Sequence, residues 1–467
     1  MAEPTDPASP TGATQVSHKI QLLRQAVAAS ERYVELDRSS AVTPGAAELE
    51  ALAAFGDVSL DAPLAADAAI AMLDELGGPA TMRQTSGRYF GFVNGGVTPV
   101  GLAASVVSGA WDQNVALPVM SPAAAAIDRA AAALLVDVLG LPTESVASFC
   151  GGATIANITG IVTARDHLLE QAGWDVRGKG LVGAPPLTVV VSDEVHVSVT
   201  KTLRVAGLGT DSVIRVPADE FGRMRADALP STTGPTLVIL QAGNVNTGHS
   251  DPFREIIGQL ERNNTWVHVD GAFGLWANAA PERRQHVDGV DLADSWATDG
   301  HKWLNAPYDC GAVIVRHPAA LRKSMSMDAA YVEVADDSRP LMNMGLQMSQ
   351  GARGVPVWAI LASEGRAGIA DAIEHTCQAA ERFATKLVDA GAELLAPVVL
   401  NQALVAFGDD ETTDAVIARV QESGVCWMGG TSWHGRRAMR ISVSDTNTTT
   451  ADVDTSVEAI IQAMQDN

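Results

Sequence analysis

The sequence predicts an α/β protein in which a large domain built on a mostly parallel sheet precedes a smaller α+β domain. Three observations carry that expectation. From about residue 120 onward, β-branched strand-like runs alternate with helix-like runs, as they do when helices cover both faces of a parallel sheet. Two apolar runs, in WVHVDGAFG (266–274) and DSWATDGHKWL (294–304), stop abruptly at charged and small residues, as a buried strand does at a cleft. Beyond Gly351 the texture changes to one long helical region followed by shorter mixed elements.

Taken in order, residues 1 to about 15 are acidic and proline-rich and read as a disordered lead, the reverse of a signal peptide. Ser17 to Leu36 places Ile20, Leu22, Leu23, Ala26, Val27, Tyr33 and Leu36 near helical spacing, an amphipathic helix that packs either on a partner subunit or on its own core. Ala123 to Leu139 is an Ala/Leu-rich helix; LTVVVSD (187–193) and TLVILQAG (236–243) are strands. Pro252 to Asn263 reads as helix, WVHVDGA as strand and GAVIVRH (311–317) as another strand. Val357 to Ala390 is helical, LVAFG (404–408) and MRISVSD (439–445) are strands with a helix between them, and a last helix starts at Ala451. The expected division is an N-terminal arm and helical segment at 1–85, a large domain at 86–345 and a small C-terminal domain at 346–467. There is no internal repeat, and the proline-rich start is the one low-complexity tract.

Composition narrows the function. Hydrophobic residues at 47% and charged residues at 19% build a large core with ease. The balance of 32 Lys+Arg against 55 Asp+Glu, a net charge of −23, disfavours a nucleic-acid surface. No segment reaches the ~18 uninterrupted apolar residues of a membrane span. Cys150, Cys310, Cys377 and Cys426 lie far apart without metal-like spacing, so no metal site is expected, and they read as reduced thiols of a cytoplasmic protein.

The chemistry concentrates at strand ends. Lys302 follows one apolar run with His301 beside it, and Asp270 ends another. A cleft lysine that becomes neutral forms a Schiff base with a carbonyl, and a cleft aspartate holds a heterocyclic nitrogen protonated. Those are the two things pyridoxal phosphate needs from a protein. SFCGGATIAN (148–157) opens an apolar helix with glycines that let the backbone approach a phosphate; Gly152, Ala153 and Thr154 are the candidates to hold it. His196, at the end of the 187–193 strand, offers a flat ring to stack on a pyridine, and Ala272 is small enough to lie against the other face. His268 is either an orienter of Asp270 or a core histidine.

The ordered set GGATIAN, SDEVHVSVTK, LQAGNVNTG, WVHVDGAFG, DSWATDGHKWLNAPYDCG and MRISVSDTNTTTADVD, with RYFGFVNGG (88–96) before it, resembles the group II pyridoxal-phosphate-dependent amino-acid decarboxylases, over roughly residues 80 to 460. These are the relatives of aromatic amino-acid, glutamate and diaminobutyrate decarboxylases. The resemblance implies a fold type I homodimer with a seven-stranded-type sheet in the large, cofactor-binding domain and the cofactor near the subunit interface. It implies that Lys302 tethers the cofactor, Asp270 pairs with the pyridinium nitrogen, His196 stacks on the ring, Ala272 packs on its other face, and His301 assists with phosphate or substrate carboxylate. Arg440 matches an arginine that anchors a substrate carboxylate in some members, with a structural salt bridge as the alternative; Arg353 matches a structural one. Gly91, Phe92, Val93 and Asn94 are candidates for substrate contact. The implied reaction converts an L-amino acid to an amine and carbon dioxide.

Three features depart from that family. The stretch 332–352, where many members carry a proton-donating tyrosine, has no tyrosine, phenylalanine or histidine; Tyr331 fits a position just before it. Its Met342, Met344 and Met348 form either an apolar lid or ordinary packing. Asp299 stands where several relatives have asparagine, and a carboxylate there is expected to point away from a phosphate. Asn244 and Asn246 replace threonines. The missing tyrosine keeps open decarboxylative oxidative deamination to an aldehyde, β-elimination and transamination. A silent cofactor-binding relative is disfavoured by retention of Lys302, Asp270 and His196, and a nicotinamide oxidoreductase by the lack of a G-x-G-x-x-G turn after a first strand.

Overall fold

The computed structural model describes residues 12–38, 40–327 and 340–466. The expected lead at 1–11 and the stretch 328–339, which includes Tyr331, lie outside the described residues. Seven strands, β1 (Val146–Cys150), β2 (Thr188–Ser192), β3 (Ile214–Val216), β4 (Thr236–Gln241), β5 (Thr265–Asp270), β6 (Ser295–Asp299) and β7 (Gly311–Val315), form one sheet in the order β1-β7-β6-β5-β4-β2-β3. All pairings are parallel except those of β7, which runs antiparallel to β1 and β6. Only residues 300–310 separate β6 from β7, too few for the crossover a parallel neighbour needs, so the chain turns straight back. Every residue of β4 and β5 is buried, which is why their sequences read as unbroken apolar runs.

Eight described helices reach nine residues or more: α1 (Gly12–Asp37), α2 (Pro99–Trp111), α3 (Pro122–Val138), α4 (Ala153–Gln171), α5 (Val197–Val205), α6 (Gly354–Asp389), α7 (Asp410–Ser423) and α8 (Thr450–Gln465). α1 starts five residues before the expected Ser17. α6 is broken at Gly365, whose φ of 60° no β-carbon favours. The helix expected at Pro252–Asn263 is confined to Phe253–Gly258, with Arg262–Asn264 as a single 3₁₀ turn; Gly258 and the Asn263–Asn264 pair are poor helix formers. α4 lies across β5, β6 and β7 and places Ala156, Ile161, Ala164 and Leu168 in the core with Trp266 and Ala297.

A second, antiparallel sheet, in the order β10-β11-β9-β8, is formed by β8 (Glu393–Leu394), β9 (Gln402–Ala406), β10 (Gly429–Trp433) and β11 (Arg436–Ser442). Its core joins Phe383 of α6, Val416 of α7 and Val457 of α8. Phe90 belongs to this core too: its N–H donates to Trp427 O at 2.7 Å and its carbonyl accepts from Ser442 N at 3.0 Å. The early RYFGFVNGG segment thus joins the two cores, Phe90 packing in that of the smaller sheet and Val93 in that of the larger. Met342 and Met344 are buried and Met348 is exposed, so the first two pack as core.

Candidate active site

Parallel strands that end together bring their following residues together. Gln241 and Asp270 are register partners at the ends of β4 and β5, and Asp270 pairs in turn with Ala297 on β6. Lys302 lies just past β6, His196 just past β2, and Gly151–Gly152 just past β1. These ends enclose a cavity of about 370 Å³. Every residue expected to hold the cofactor lines it: Gly152, Ala153 and Thr154, His196, Asp270, Ala272, His301 and Lys302.

The walls differ in character. At one end α4 points its N-terminus into the cavity, where the first N–H groups of a helix have no intrahelical partner. Gly152 reaches that position with φ 141°, and a β-carbon on Gly311 would come within 2.5 Å of the Gly152 backbone, so glycines make this close approach possible. At the other end Asp270 is buried and its Oδ1 has no hydrogen-bond partner. Burial raises its carboxyl pKa, and His196 and Lys302 oppose that rise. A buried carboxylate in the wall of a cavity of this size fits the N–H of a protonated pyridine. The helix end and Thr154 fit a phosphate.

His301 accepts the Cys310 N–H on Nδ1 at 3.2 Å, so its Nε2 carries the hydrogen, 3.6 Å from Asp299 Oδ1. Its ring stacks on Tyr308 at 4.2 Å between centroids, and burial lowers its pKa. Asp299 departs from its expected orientation. Its Oδ1 takes the Ala153 N–H at 2.6 Å, inside the phosphate end, and its Oδ2 lies 3.5 Å from Lys302 Nζ. The helix N-terminus attracts this carboxylate just as it attracts any anion.

His268 is fully buried between Ser295 Oγ and Asn157 Oδ1, each at 2.8 Å. Arg353 forks onto Asp309, Nε to Oδ1 at 3.0 Å and Nη2 to Oδ2 at 3.2 Å, beside Gly151. Asn244 Oδ1 accepts from Asn246 N at 2.8 Å and stabilises a turn, while Asn246 Oδ1 accepts from Thr431 Oγ1 at 3.1 Å. Arg440, on β11, makes no ion pair among the described residues; burial lowers its pKa, and its charge acts on His196.

Phe92 and Asn94 do not line this cavity in the single chain. Phe92 stacks on Trp427 at 5.3 Å, and Asn94 donates to Gln84 Oε1 at 3.1 Å. Phe92 and Val93 adopt positive φ, 54° and 59°, and a β-carbon on Gly91 would strike Trp427 at 2.1 Å. The sequence reading did not single out Ser198, Gln241, Gly243, Val245, Phe273 or Tyr308, which also line the cavity. For Gln241 the signal was present, since it ends an apolar strand as Asp270 does.

A lysine and a buried carboxylate in one cavity at the carboxyl edge of such a sheet fit the class of fold type I pyridoxal-phosphate enzymes. Within that class the chain belongs to the pyridoxal-dependent decarboxylase family: the model of the pyridoxal-dependent decarboxylase conserved domain matches residues 80–408. Its cofactor is accordingly pyridoxal phosphate. An aromatic-L-amino-acid decarboxylase of Bacillus atrophaeus is 28% identical over 306 residues, 63% of this chain and 62% of that protein. The match thus spans about three-fifths of that relative's length. A 4-hydroxyphenylacetaldehyde synthase of Rhodiola rosea is 26% identical over 339 residues, 66% of this chain and 67% of that one. Among solved structures, Oryza sativa TDC with PLP and tryptamine superposes with a TM-score of 0.89 at 21% identity, covering 98% of this chain and 99% of that one, a likeness of fold.

Proposed function

We propose that this protein decarboxylates an L-amino acid to an amine and carbon dioxide, with pyridoxal phosphate carried on Lys302. The observation that carries the reading is the convergence of Lys302, the unpartnered Asp270 Oδ1 and the start of α4 on one cavity. The bound cofactor supplies an electron sink next to the substrate's Cα. The start of α4 and Thr154 bind the phosphate; the Asp270 carboxylate accepts the ring N–H and keeps the proton there. His196 covers one face of the ring and Ala272 leaves room at the other. Lys302 is the nucleophile, and Asp299 Oδ2, 3.5 Å from its Nζ, positions it. Arg440, free of ion pairs among the described residues, is the cation available to a substrate carboxylate.

A second reading, release of an aldehyde by decarboxylative oxidative deamination, is favoured by the absence of tyrosine and histidine from 332–352. We further propose a homodimer, on the apolar side chains that α1 and α2 expose, among them Ile20, Leu23, Val106 and Trp111. Four unpaired, buried cysteines support placement in the cytoplasm.

The test is a product assay. Purified, cofactor-loaded protein is offered the common L-amino acids in air, with carbon dioxide, amine, aldehyde and peroxide followed together. Carbon dioxide with an equal yield of amine establishes the decarboxylase. Aldehyde with peroxide establishes the second reading, and no carbon dioxide from any substrate overturns both. Lys302→Ala is expected to lose the visible absorbance of the tethered cofactor together with turnover; retention of both would sink the tether assignment.

A further inference from the structure

β5 presents Trp266, His268 and Asp270 at alternate positions, so the three side chains share one face of the sheet. Across from them α4 carries Asn157, one turn beyond Thr154, and β6 carries Ser295, the register partner of His268. Trp266 Nε1 donates to Ser295 Oγ at 2.8 Å, Ser295 Oγ lies 2.8 Å from His268 Nδ1, and His268 Nε2 lies 2.8 Å from Asn157 Oδ1. Ser295, His268 and Asn157 are wholly buried and Trp266 nearly so.

Elementary donor and acceptor counting gives this chain a direction. An indole N–H only donates, so Ser295 Oγ accepts from Trp266. The serine's own hydrogen then has one acceptor in reach, His268 Nδ1. With Nδ1 accepting, the hydrogen of the neutral imidazole sits on Nε2 and points at Asn157 Oδ1. The carboxamide is thereby fixed with its Nδ2 hydrogens on the other side, where the Asp270 carboxyl lies and where Asn157 lowers its pKa. Asn157 Nδ2 and Asp270 Oδ1, a buried donor and a buried acceptor, each lack a hydrogen-bond partner. The opposite direction would leave the buried serine hydrogen with no acceptor. Burial also holds His268 neutral, its pKa lowered to about 3. The sequence makes room for the ring: a β-carbon on Gly160 would stand 2.6 Å from His268 Cε1.

We propose that Trp266, Ser295, His268 and Asn157 form a one-way hydrogen-bond relay that orients the Asp270 carboxylate and keeps it the anionic acceptor for the cofactor's ring N–H. The proposal rests on the role given to Asp270 above. These four are positioning residues, since they act through Asp270. Because Thr154 and Asn157 share the first turns of α4, one helix sets both ends of the cofactor, phosphate and ring nitrogen.

The experiment combines two readouts. Nitrogen-15 NMR of histidine-labelled protein without cofactor, with the His268 signals identified by their loss in His268→Gln, reads the tautomer directly. The expected result is a neutral Nε2–H imidazole, unchanged from about pH 5 to pH 8. An Nδ1–H tautomer or an imidazolium overturns the relay, and this measurement on the unaltered chain stands even where a variant fails to fold. The second readout titrates the protein with pyridoxal phosphate, followed by visible absorbance and, with ring-labelled cofactor, by the ring-nitrogen signal. Ser295→Ala and Asn157→Leu are expected to bind about tenfold more weakly and to lose part of the ring protonation, with Ser295→Thr restored to wild-type values. Wild-type affinity and ring protonation in both variants overturn the relay alone. An unprotonated ring nitrogen in the cofactor-loaded wild type overturns the Asp270 reading, and the proposal with it.

Discussion

The Asp299 carboxylate holds the Ala153 N–H at 2.6 Å and lies 3.5 Å from Lys302 Nζ, so one side chain touches both the start of α4, proposed to hold the phosphate, and the lysine proposed as the tether. Two anions sharing a helix N-terminus repel, and the repulsion is strong where water is scarce. Asp299→Asn keeps an acceptor for the Ala153 N–H and removes the charge. It also removes the anion 3.5 Å from Lys302 Nζ. The variant is expected to bind pyridoxal phosphate about tenfold more tightly, roughly 1.4 kcal/mol, while its affinity for phosphate-free pyridoxal changes much less. Titration of cofactor-stripped protein with each aldehyde measures the difference. Equal gains for both would place the effect on Lys302 alone, and no gain would remove Asp299 from cofactor binding.

Between elements, the contact of α3 with the start of α6 hides a second carboxyl. Asp128 is buried, accepts a backbone hydrogen bond from Gly354 and leaves Oδ1 without a partner, and burial pushes its pKa up to about 7. A carboxyl near 4 in the unfolded chain and about 7 in the folded one binds its proton more tightly when folded. Its stabilising contribution is therefore whole below about pH 4 and is lost as pH rises toward about 7, on the order of a few kcal/mol. Asp128→Asn has no proton to lose, so its melting temperature should gain on the wild type between those limits and stay ahead above them. A constant gap across that range would show that Asp128 does not titrate. The carboxyl itself reads in the sequence as one polar residue in an Ala-rich helix, and nothing local marks it as buried. The same limit applies elsewhere. β4 and β5 were legible because strands covered on both faces must be apolar throughout, whereas β3 and β10 are short and partly exposed and left no such run. The residues expected to hold the cofactor line one cavity because each ends or follows a strand, and the strands end at one edge. Tyr308 reaches the cavity from the 300–310 loop and Ser198 from the first turn of α5, placements that no period in the sequence encodes. Phe92 and Asn94 lie off the cavity because their segment follows Trp427 and the smaller sheet.

At the scale of the molecule, a chain with a net charge of −23 still exposes apolar side chains in quantity. α2 buries only Gly101 and presents Leu102, Val106, Val107 and Trp111 at 38–47% exposure, and α1 adds Ile20, Leu23 and Val27. Patches of this kind mark interfaces. Around the cavity, Tyr308 is 57% exposed and His196 is also open, although a site that protects a Schiff base has reason to exclude water. Ser105 and Ser108 of α2 border the surface beside Tyr308. A second copy of the chain seated on α1 and α2 would cover the apolar faces and wall the cavity at once. The wild type is then expected to sediment at twice its 48.7 kDa chain mass. Val106→Asp places an unpaired charge in that interface and should weaken it by roughly 2–3 kcal/mol, about a hundredfold in Kd. Because Val106 lies outside the cavity lining, activity should fall with dilution in step with the loss of dimer by sedimentation and recover at high concentration. A monomeric variant with full turnover would mean that each chain closes its own site.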